Sequence, residues 1–163
     1  MSNFAYLSGK AGELLCGGEF LRPVARSRYL FDVCFLGGDA PTSDYIVYLV
    51  DEHGVRTGPL FFAQVKTTAR APTEGSGYKV GFSAADVRRA QATKVPFFVC
   101  VVDRSTVGSA KFFIKGVEST RTRGIARLAP VHDLSMDAVK LVLYDEVTRV
   151  WRSQTVPTLM KLI

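Results

Sequence analysis

The chain has 163 residues, of which 47% are hydrophobic and 22% charged, with a formal net charge of +6. This composition excludes a disordered chain and fits one domain with a real core. No apolar run approaches the roughly 20 residues of a membrane-spanning helix, and no signal peptide is expected at the N-terminus. The cysteines at 16, 34 and 100 have apolar neighbours, which predicts reduced core thiols in a cytoplasmic protein.

The first part of the chain predicts one helix and three strands. The helix is expected from Ser8, as its cap, to about Leu21. Its apolar positions are Leu14, Leu15 and Phe20. Its glycines weaken the helix and also allow another backbone to approach closely. The strands are predicted over residues 29–36, 45–50 and 60–66, and the last two form a hairpin.

The second part predicts further strands around one covering helix. The elements are a strand near 78–82, a helix from Ser83 to about Thr93, a buried strand over 95–102 and a strand over 111–117. Within the helix, Val87 and Ala90 are expected inside and Arg88 and Arg89 outside. Residues 118–134 receive no assignment, and the residues from 139 fit a strand or a helix. Together the elements predict a single α/β or α+β domain over residues 1–163, with a mixed central sheet flanked by helices.

Charge is distributed unevenly along the chain. Residues 1–64 hold 5 Lys/Arg and 7 Asp/Glu, residues 65–127 hold 12 and 4, and residues 128–163 hold 4 and 4. The acidic groups therefore concentrate in the first segment and the basic groups in the second. This asymmetry fits either a metal centre beside a polyanion-binding surface or an ordinary solvated basic face.

The third predicted strand ends in a polar pair, Gln64 and Lys66, after the apolar run Leu60-Phe61-Phe62-Ala63. Because successive side chains of a strand alternate, these two share one face while Val65 lies on the other. Unpaired polar side chains are expensive on an inner strand, which favours a functional interpretation over an exposed polar edge. Asp44, which opens the preceding strand, supplies a carboxylate nearby.

These residue types suit the metal-assisted hydrolysis of a phosphodiester. A hard divalent cation, Mg²⁺ or Mn²⁺, prefers oxygen ligands and stabilises charge on the phosphate oxygens. The expected ligands are the Asp44 carboxylate, the Gln64 amide oxygen and the Val65 backbone carbonyl. Lys66 is expected to orient the attacking water, and Glu13 on the first helix to bind the metal through water or to hold that water. Asp32, on the first predicted strand, is the rival to Asp44 as metal ligand.

The order of these motifs resembles the PD-(D/E)xK nuclease superfamily. The matching pieces are Gly9-Lys10-Ala11-Gly12-Glu13 on the helix, Ser43-Asp44-Tyr45 opening the second strand and Gln64-Val65-Lys66-Thr67 ending the third. The chain is similar to the Mrr-like restriction endonucleases and to small prokaryotic domains with a Gln-x-Lys variant. The resemblance covers about residues 8–103 and implies a restriction-endonuclease-like core, with 104–163 as a C-terminal extension of the same domain.

The resemblance also implies an activity and partners. The expected activity is metal-dependent cleavage of DNA, in restriction or anti-phage defence, with no membrane association. The residues expected to contact the phosphate backbone are Lys79, Arg88, Arg89 and Lys94. A homodimer and a defence-system protein are further expected partners. Because Gln64 is neutral where most members of the superfamily carry a carboxylate, the alternative is a catalytically inactive nuclease-fold module that binds nucleic acid or a protein.

Overall fold

A computed structural model describes residues 3–25, 27–37, 42–72 and 74–153, which fold around a mixed five-stranded sheet. The elements are α1 (Asn3–Leu21), β1 (Phe31–Phe35), β2 (Tyr45–Val50), β3 (Arg56–Thr68), β4 (Tyr78–Phe82), α2 (Ala84–Ala92), β5 (Phe97–Thr106), β6 (Ser109–Gly116), β7 (Ile125–Leu128) and α3 (Asp137–Ser153). The predicted α/β class, with a mixed sheet flanked by helices, is confirmed.

The large sheet has the strand order β1-β2-β3-β5-β6. The first three strands form an antiparallel meander, and β6 pairs antiparallel with β5. β3 and β5 are parallel, and the crossover that a parallel pair requires contains β4 and α2. β4 and β7 form a separate two-stranded sheet.

One face of the large sheet is covered by α1 and α3. Three rings form the centre of this core, where Phe20 of α1 meets Phe31 and Phe61 at centroid distances of 5.9 and 5.7 Å. Leu143 and Val147 of α3 belong to the same cluster. Edge-to-face contacts between aromatic rings add to the stabilisation that comes from burying their area.

The other face is covered by α2 and the β4–β7 sheet. Phe82, Val87 and Ile125 contribute from these elements and pack with Val99 and Val101 of β5. Alternate residues of β5 face the first core, so this strand is buried on both faces, as predicted. Ser83 caps α2 as predicted, and Val87 and Ala90 are its buried residues.

The sequence-based prediction for α1 is wrong in two respects. The helix begins at Asn3, so Ser8 lies inside it, and both Leu14 (68% exposed) and Leu15 (42% exposed) face away from the core. Small residues occupy the sheet side instead. A Cβ atom at Gly12 would collide with the Thr67 side chain, and one at Gly17 would lie 2.6 Å from the Tyr45 hydroxyl. The glycines that weaken the helix are therefore what brings it close to β2 and β3.

The structure assigns the regions that the sequence leaves open and corrects the prediction for one cysteine. The unassigned region contains the short strand β7, and the chain from residue 137 forms a helix rather than a strand. Cys16 and Cys100 are buried free thiols, whereas Cys34 is exposed, so its assignment to the core is wrong. In the described part of the chain, no helix is long and apolar enough to cross a membrane.

Candidate functional site

Asp44 and Gln64 lie side by side where β2 begins. Tyr45 is paired with Ala63, so the residue before Tyr45 lies beside the residue after Ala63. The Asp44 N–H donates to the Ala63 carbonyl at 2.9 Å, and this hydrogen bond fixes the backbone there. Lys66 follows two residues later on β3, on the same side of the strand as Gln64.

β3 continues beyond its pairing with β2, which ends at Tyr45 and Ala63. The Asp44 carboxylate takes the place of a strand partner there. Its Oδ2 accepts a hydrogen bond from the Val65 N–H at 2.6 Å. Because the N–H and C=O of one strand residue point to the same edge, the Val65 carbonyl is directed towards this opening as well. A carboxylate and a backbone carbonyl are thus held at one edge.

Gln64 is the anomaly of the site. Its Oε1 is buried and has no hydrogen-bond partner within the described residues. The side chain shares its strand face with Phe62, and its neighbour across the parallel pair is the buried Val99. Leaving a buried acceptor unpaired costs about 1–3 kcal/mol, so native structures rarely contain one without a functional reason.

Glu13 and Lys66 meet at a cleft between α1 and β3. The cleft has a volume of about 530 Å³. Its lining residues are Ala5, Ser8, Gly9, Glu13, Val65, Lys66 and Thr67. The Tyr45 hydroxyl donates to the Glu13 carbonyl at 2.8 Å and fixes this turn of the helix against β2. The structure therefore brings Glu13 and Lys66 to one cleft with Asp44 within electrostatic range of both, whereas Gln64 is not among the lining residues.

Both acids of the site carry raised pKa values. Burial raises the pKa of Asp44, and the Val65 N–H and the Lys66 charge offset this only in part. Burial and then the negative charge of Asp44 raise the pKa of Glu13, while Lys10 lowers it. Two partly buried acids with raised pKa values, one of them raised by the charge of the other, form a site where a bound cation would be stabilised.

The rival acid Asp32 belongs to a different environment. It lies on β1 opposite Tyr48, which is itself paired with Leu60, four residues before Gln64. Its carboxylate accepts from Arg56 Nε at 2.7 Å and forms an ion pair with that guanidinium. Asp32 is therefore a partner of Arg56 at the far end of the hairpin, and Asp44 is the acid beside Gln64.

The four predicted phosphate contacts do not form one group. Arg88 and Arg89 are exposed on α2, and Arg89 donates to Asp86 at 2.9 Å. Lys79 is exposed on β4, where its cross-strand partner is Arg127. Lys94 follows the C-terminal end of α2, about 13 Å along the helix from the end near Lys66, so it lies away from the cleft.

Sequence reasoning missed several residues that shape the site. Asp86, the last member of the Ser83 capping box, lies within electrostatic reach of Lys66. This motif was visible as Ser83-x-x-Asp86. Thr67, which packs against Gly12, and Tyr45, which bonds to Glu13, had no readable signal, because their roles depend on how α1 lies on the sheet.

The groups of this site that could bind a metal ion are of an unusual combination of types. Within the described ranges, no group of three or more His, Cys, Asp and Glu side chains lies close enough to hold a metal ion. The site instead offers two carboxylates, one amide oxygen and one backbone carbonyl. All are oxygen donors, which suit Mg²⁺ or Mn²⁺ better than softer metals.

Comparisons of the chain with protein-family models, with curated proteins and with solved structures find no match. Function is therefore inferred from the chemistry of the site.

Proposed function

We propose that this protein is a Mg²⁺- or Mn²⁺-dependent deoxyribonuclease of the PD-(D/E)xK type. The observation that carries the proposal is the buried Gln64 Oε1, which has no hydrogen-bond partner among the described residues, on a residue next to Asp44 and on the same strand face as Lys66. An acceptor, an acid and an amine at one sheet edge are the groups that phosphodiester hydrolysis with a cation requires.

The topology supports a restriction-endonuclease-like core. A helix, an antiparallel meander of three strands, a crossover containing α2 and a parallel strand follow one another in the chain. On this proposal β6, β7 and α3 extend the same domain. They supply a further sheet strand, the partner of β4 and a second helix over the α1 face.

The residues present fit a hard divalent cation. Asp44 would bind it through its carboxylate, Gln64 through Oε1 and Val65 through its carbonyl. The unpartnered state of Oε1 is what a ligand atom shows before its cation is added. When bound, the cation would stabilise negative charge on the phosphate oxygens.

The remaining steps belong to side chains of the cleft. The Lys66 amine orients the attacking water and balances the charge that develops on the phosphate. Glu13, across the cleft, holds that water, and its raised pKa suits a group that accepts a proton. The water oxygen forms a bond to phosphorus as its proton passes to Glu13, the P–O bond of the ester breaks, and the leaving oxygen takes up a proton from solvent.

Binding to DNA on this proposal is driven by phosphate contacts from Lys79, Arg88 and Arg89 and is sensitive to salt. The proposed setting is restriction or anti-phage defence in the cytoplasm, where the buried thiols Cys16 and Cys100 remain reduced. A defence-system protein is the proposed further partner.

A second candidate is an inactive nuclease-fold module that binds nucleic acid or protein. One observation favours it: the donor set contains only two carboxylates, since the third position is the neutral Gln64. With a cation site of lower affinity, the protein would bind its partner without cleaving DNA.

The two candidates are separated by cleavage assays. Supercoiled plasmid and linear DNA are incubated with Mg²⁺ or Mn²⁺ and with the wild type, Asp44→Ala or Lys66→Ala. Asp145→Ala, at an exposed position of α3, is the control. We expect the wild type and the control to cleave, and each site variant to lose at least about 10²-fold in rate. Cleavage that survives both substitutions would refute the assignment, and DNA binding without cleavage would favour the second candidate.

A further inference from the structure

The outer face of the small β4–β7 sheet carries two basic side chains directly opposite each other. Lys79 of β4 is the cross-strand partner of Arg127 of β7, and both are exposed, whereas the adjacent pair, Tyr78 and Leu128, is buried. Neither basic side chain forms an ion pair with an acid in the described part of the chain. Like charges that face each other across two strands are destabilising, so the fold retains an unfavourable contact here. Lys79 and Arg127 are called the basic pair.

The Arg127 side chain is held in place by the turn before β4. Its Nη1 donates to the Ser76 hydroxyl at 3.0 Å and to the Gly77 carbonyl at 3.4 Å. Glycine is required in this turn, because Gly77 has a φ of 72° and a Cβ atom there would collide with the Leu128 carbonyl oxygen. Nε and Nη2 of Arg127 have no hydrogen-bond partner among the described residues. The guanidinium is therefore fixed with one edge open, which is the edge that binds an oxyanion through two hydrogen bonds.

The small sheet lies beside the end of β3 that carries Lys66. At the start of β4, the Tyr78 hydroxyl donates at 2.8 Å to Asp103, which is two residues beyond the β5 partner of Lys66. At the other end, β4 leads into the capping box of Ser83 and Asp86, and the charge of Asp86 lies within electrostatic range of Lys66. Packed sheets are about 10 Å apart, so the basic pair lies one layer away from the candidate site.

We propose that the basic pair clamps one phosphate group of duplex DNA and thereby docks the duplex beside the cleft. The phosphate oxygens accept hydrogen bonds from the open edge of Arg127 and from the Lys79 ammonium, and the negative charge removes the repulsion between the two cations. The identity of the anion rests on the proposed nuclease function. The clamp itself extends that function, because it adds Arg127, the turn that holds it and a preference for duplex DNA.

The surface around the basic pair favours duplex over single-stranded DNA. Its exposed neighbours on the two strands are Gly81 and Ala126, and a Cβ atom at Gly81 would have nothing within 4 Å. Small residues let a DNA backbone approach closely, but they offer no ring on which an unpaired base could stack, and proteins that bind single strands use such rings. A duplex also carries one negative charge per about 1.7 Å, twice the density of one strand. The clamp therefore recognises charge and shape and does not read the base sequence.

Fluorescence anisotropy with a labelled duplex of about 20 base pairs tests the clamp. The buffer contains EDTA, so binding is measured without cleavage. We expect Lys79→Gln/Arg127→Gln to weaken binding at least about 10-fold at low salt and to reduce the slope of log K against log[salt] by about 1. The control, Arg28→Gln/Arg152→Gln, removes the same charge from two exposed positions near α1 and α3 and should weaken binding less than about 2-fold. A wild type that does not bind the duplex, or a control that loses as much as the clamp variant, would overturn the proposal.

Conservative substitutions test the guanidinium, and a second DNA tests the preference for the duplex. Arg127→Lys keeps the charge but loses the fork geometry, so binding should weaken about 3-fold or more, whereas Lys79→Arg should bind like the wild type. Equal affinities of the two variants would show that Arg127 supplies only charge and would overturn the clamp. A single strand of the same length should bind at least about 10-fold more weakly than the duplex, and equal binding would overturn the duplex preference.

The clamp and the nuclease can fail separately. Duplex binding that depends on the basic pair, without cleavage in Mg²⁺ or Mn²⁺, would support the clamp and refute the nuclease. Wild-type cleavage of duplex DNA together with unchanged binding and cleavage by Lys79→Gln/Arg127→Gln would support the nuclease and overturn the clamp.

Discussion

Two buried polar groups differ in how completely their hydrogen bonds are satisfied. Lys140 of α3 is fully buried below the C-terminal end of α1, and all its contacts are satisfied. Its Nζ donates to the carbonyls of Glu19 and Arg22 and lies 3.0 Å from the Glu19 carboxylate. Gln64, on the opposite face of the sheet from α1, has a buried oxygen with no partner among the described residues.

We attribute a structural role to Lys140 and a role in binding to Gln64. The Lys140 amine donates to two backbone carbonyls at the C-terminal end of α1, and Arg22 extends the network to Asp137 at 3.1 Å. Such a network holds α3 on α1. At Gln64 the sequence keeps a polar atom that no described residue satisfies, and the neighbouring acids have raised pKa values. Unsatisfied groups and acids with perturbed pKa values at the end of one strand are typical of a binding site.

The largest predicted effect is the loss of stability when Lys140 is replaced. Lys140→Ala removes one of the two cations that pair with Glu19, since Arg22 remains at 2.8 Å, and leaves the end of α1 uncapped, so the free energy of unfolding should fall by about 3 kcal/mol. Urea denaturation measures this. Lys140→Met, which keeps most of the side-chain volume, should separate lost packing from lost charge. If Lys140→Ala were as stable as the wild type, the network would not hold α3 in place.

The next effect concerns the contact of α1 with β3. Gly12→Ala forces a Cβ into the Thr67 side chain, and overpacking of this kind costs about 1–3 kcal/mol. Gly9→Ala, on the same helix with nothing within 4 Å, should instead stabilise by about 0.5–1 kcal/mol. Thermal unfolding of the two variants gives the comparison. Equal changes in Tm would mean that Gly12 does not set the helix-to-sheet distance.

At Gln64, replacing the polar side chain with an apolar one should stabilise the protein. Gln64→Leu eliminates an unpaired buried acceptor, so the free energy of unfolding should rise by about 1 kcal/mol in the absence of metal, while cleavage is lost. Gln64→Glu should lower stability without metal and regain it when Mn²⁺ is added. A Gln64→Leu variant that unfolds more easily than the wild type would indicate a structural role for Gln64.

The smallest predicted effect is the pH dependence of Asp44. Its pKa is raised above the ordinary 3.8, chiefly by burial, so the folded state binds a proton more tightly than the unfolded state does. Ionised Asp44 therefore destabilises the metal-free protein at neutral pH. Asp44→Asn should raise Tm by a degree or two at pH 7, and this gain should disappear as the pH falls below the ordinary value. Unfolding scans in EDTA from pH 3 to 7 measure it, and a gain that grows towards low pH would contradict this assignment.

The strands were predictable because their signals are local. The apolar run from Phe97 and the hairpin of β2 and β3 follow from alternation and turn residues, and the Ser83 cap from its motif. The residues of the candidate site were also named from the sequence, since Gln-x-Lys and Asp44 are short local patterns. Their meeting at one edge depends on the register of Tyr45 with Ala63, which the structure supplies.

The sequence-based predictions fail where contacts between distant parts of the chain determine the structure. Leu14 and Leu15 are large apolar residues that are nevertheless exposed, while Gly12 and Gly17 face the sheet, because the distance to Thr67 and Tyr45 leaves no room for larger residues. The helix from Asp137 is held by the buried Lys140, a residue that sequence patterns place at the surface. The exposure of Cys34 follows from its position on the edge strand β1.

Calorimetric titration with Mn²⁺ tests the central claim most directly, because it measures the cation site without requiring turnover. Asp44→Asn is compared with Asp32→Asn, which removes the rival acid from its ion pair with Arg56. We predict Mn²⁺ binding by the wild type and by Asp32→Asn, and none by Asp44→Asn. Binding that persists in Asp44→Asn, or that is absent from the wild type, would contradict a cation site at Asp44 and Gln64.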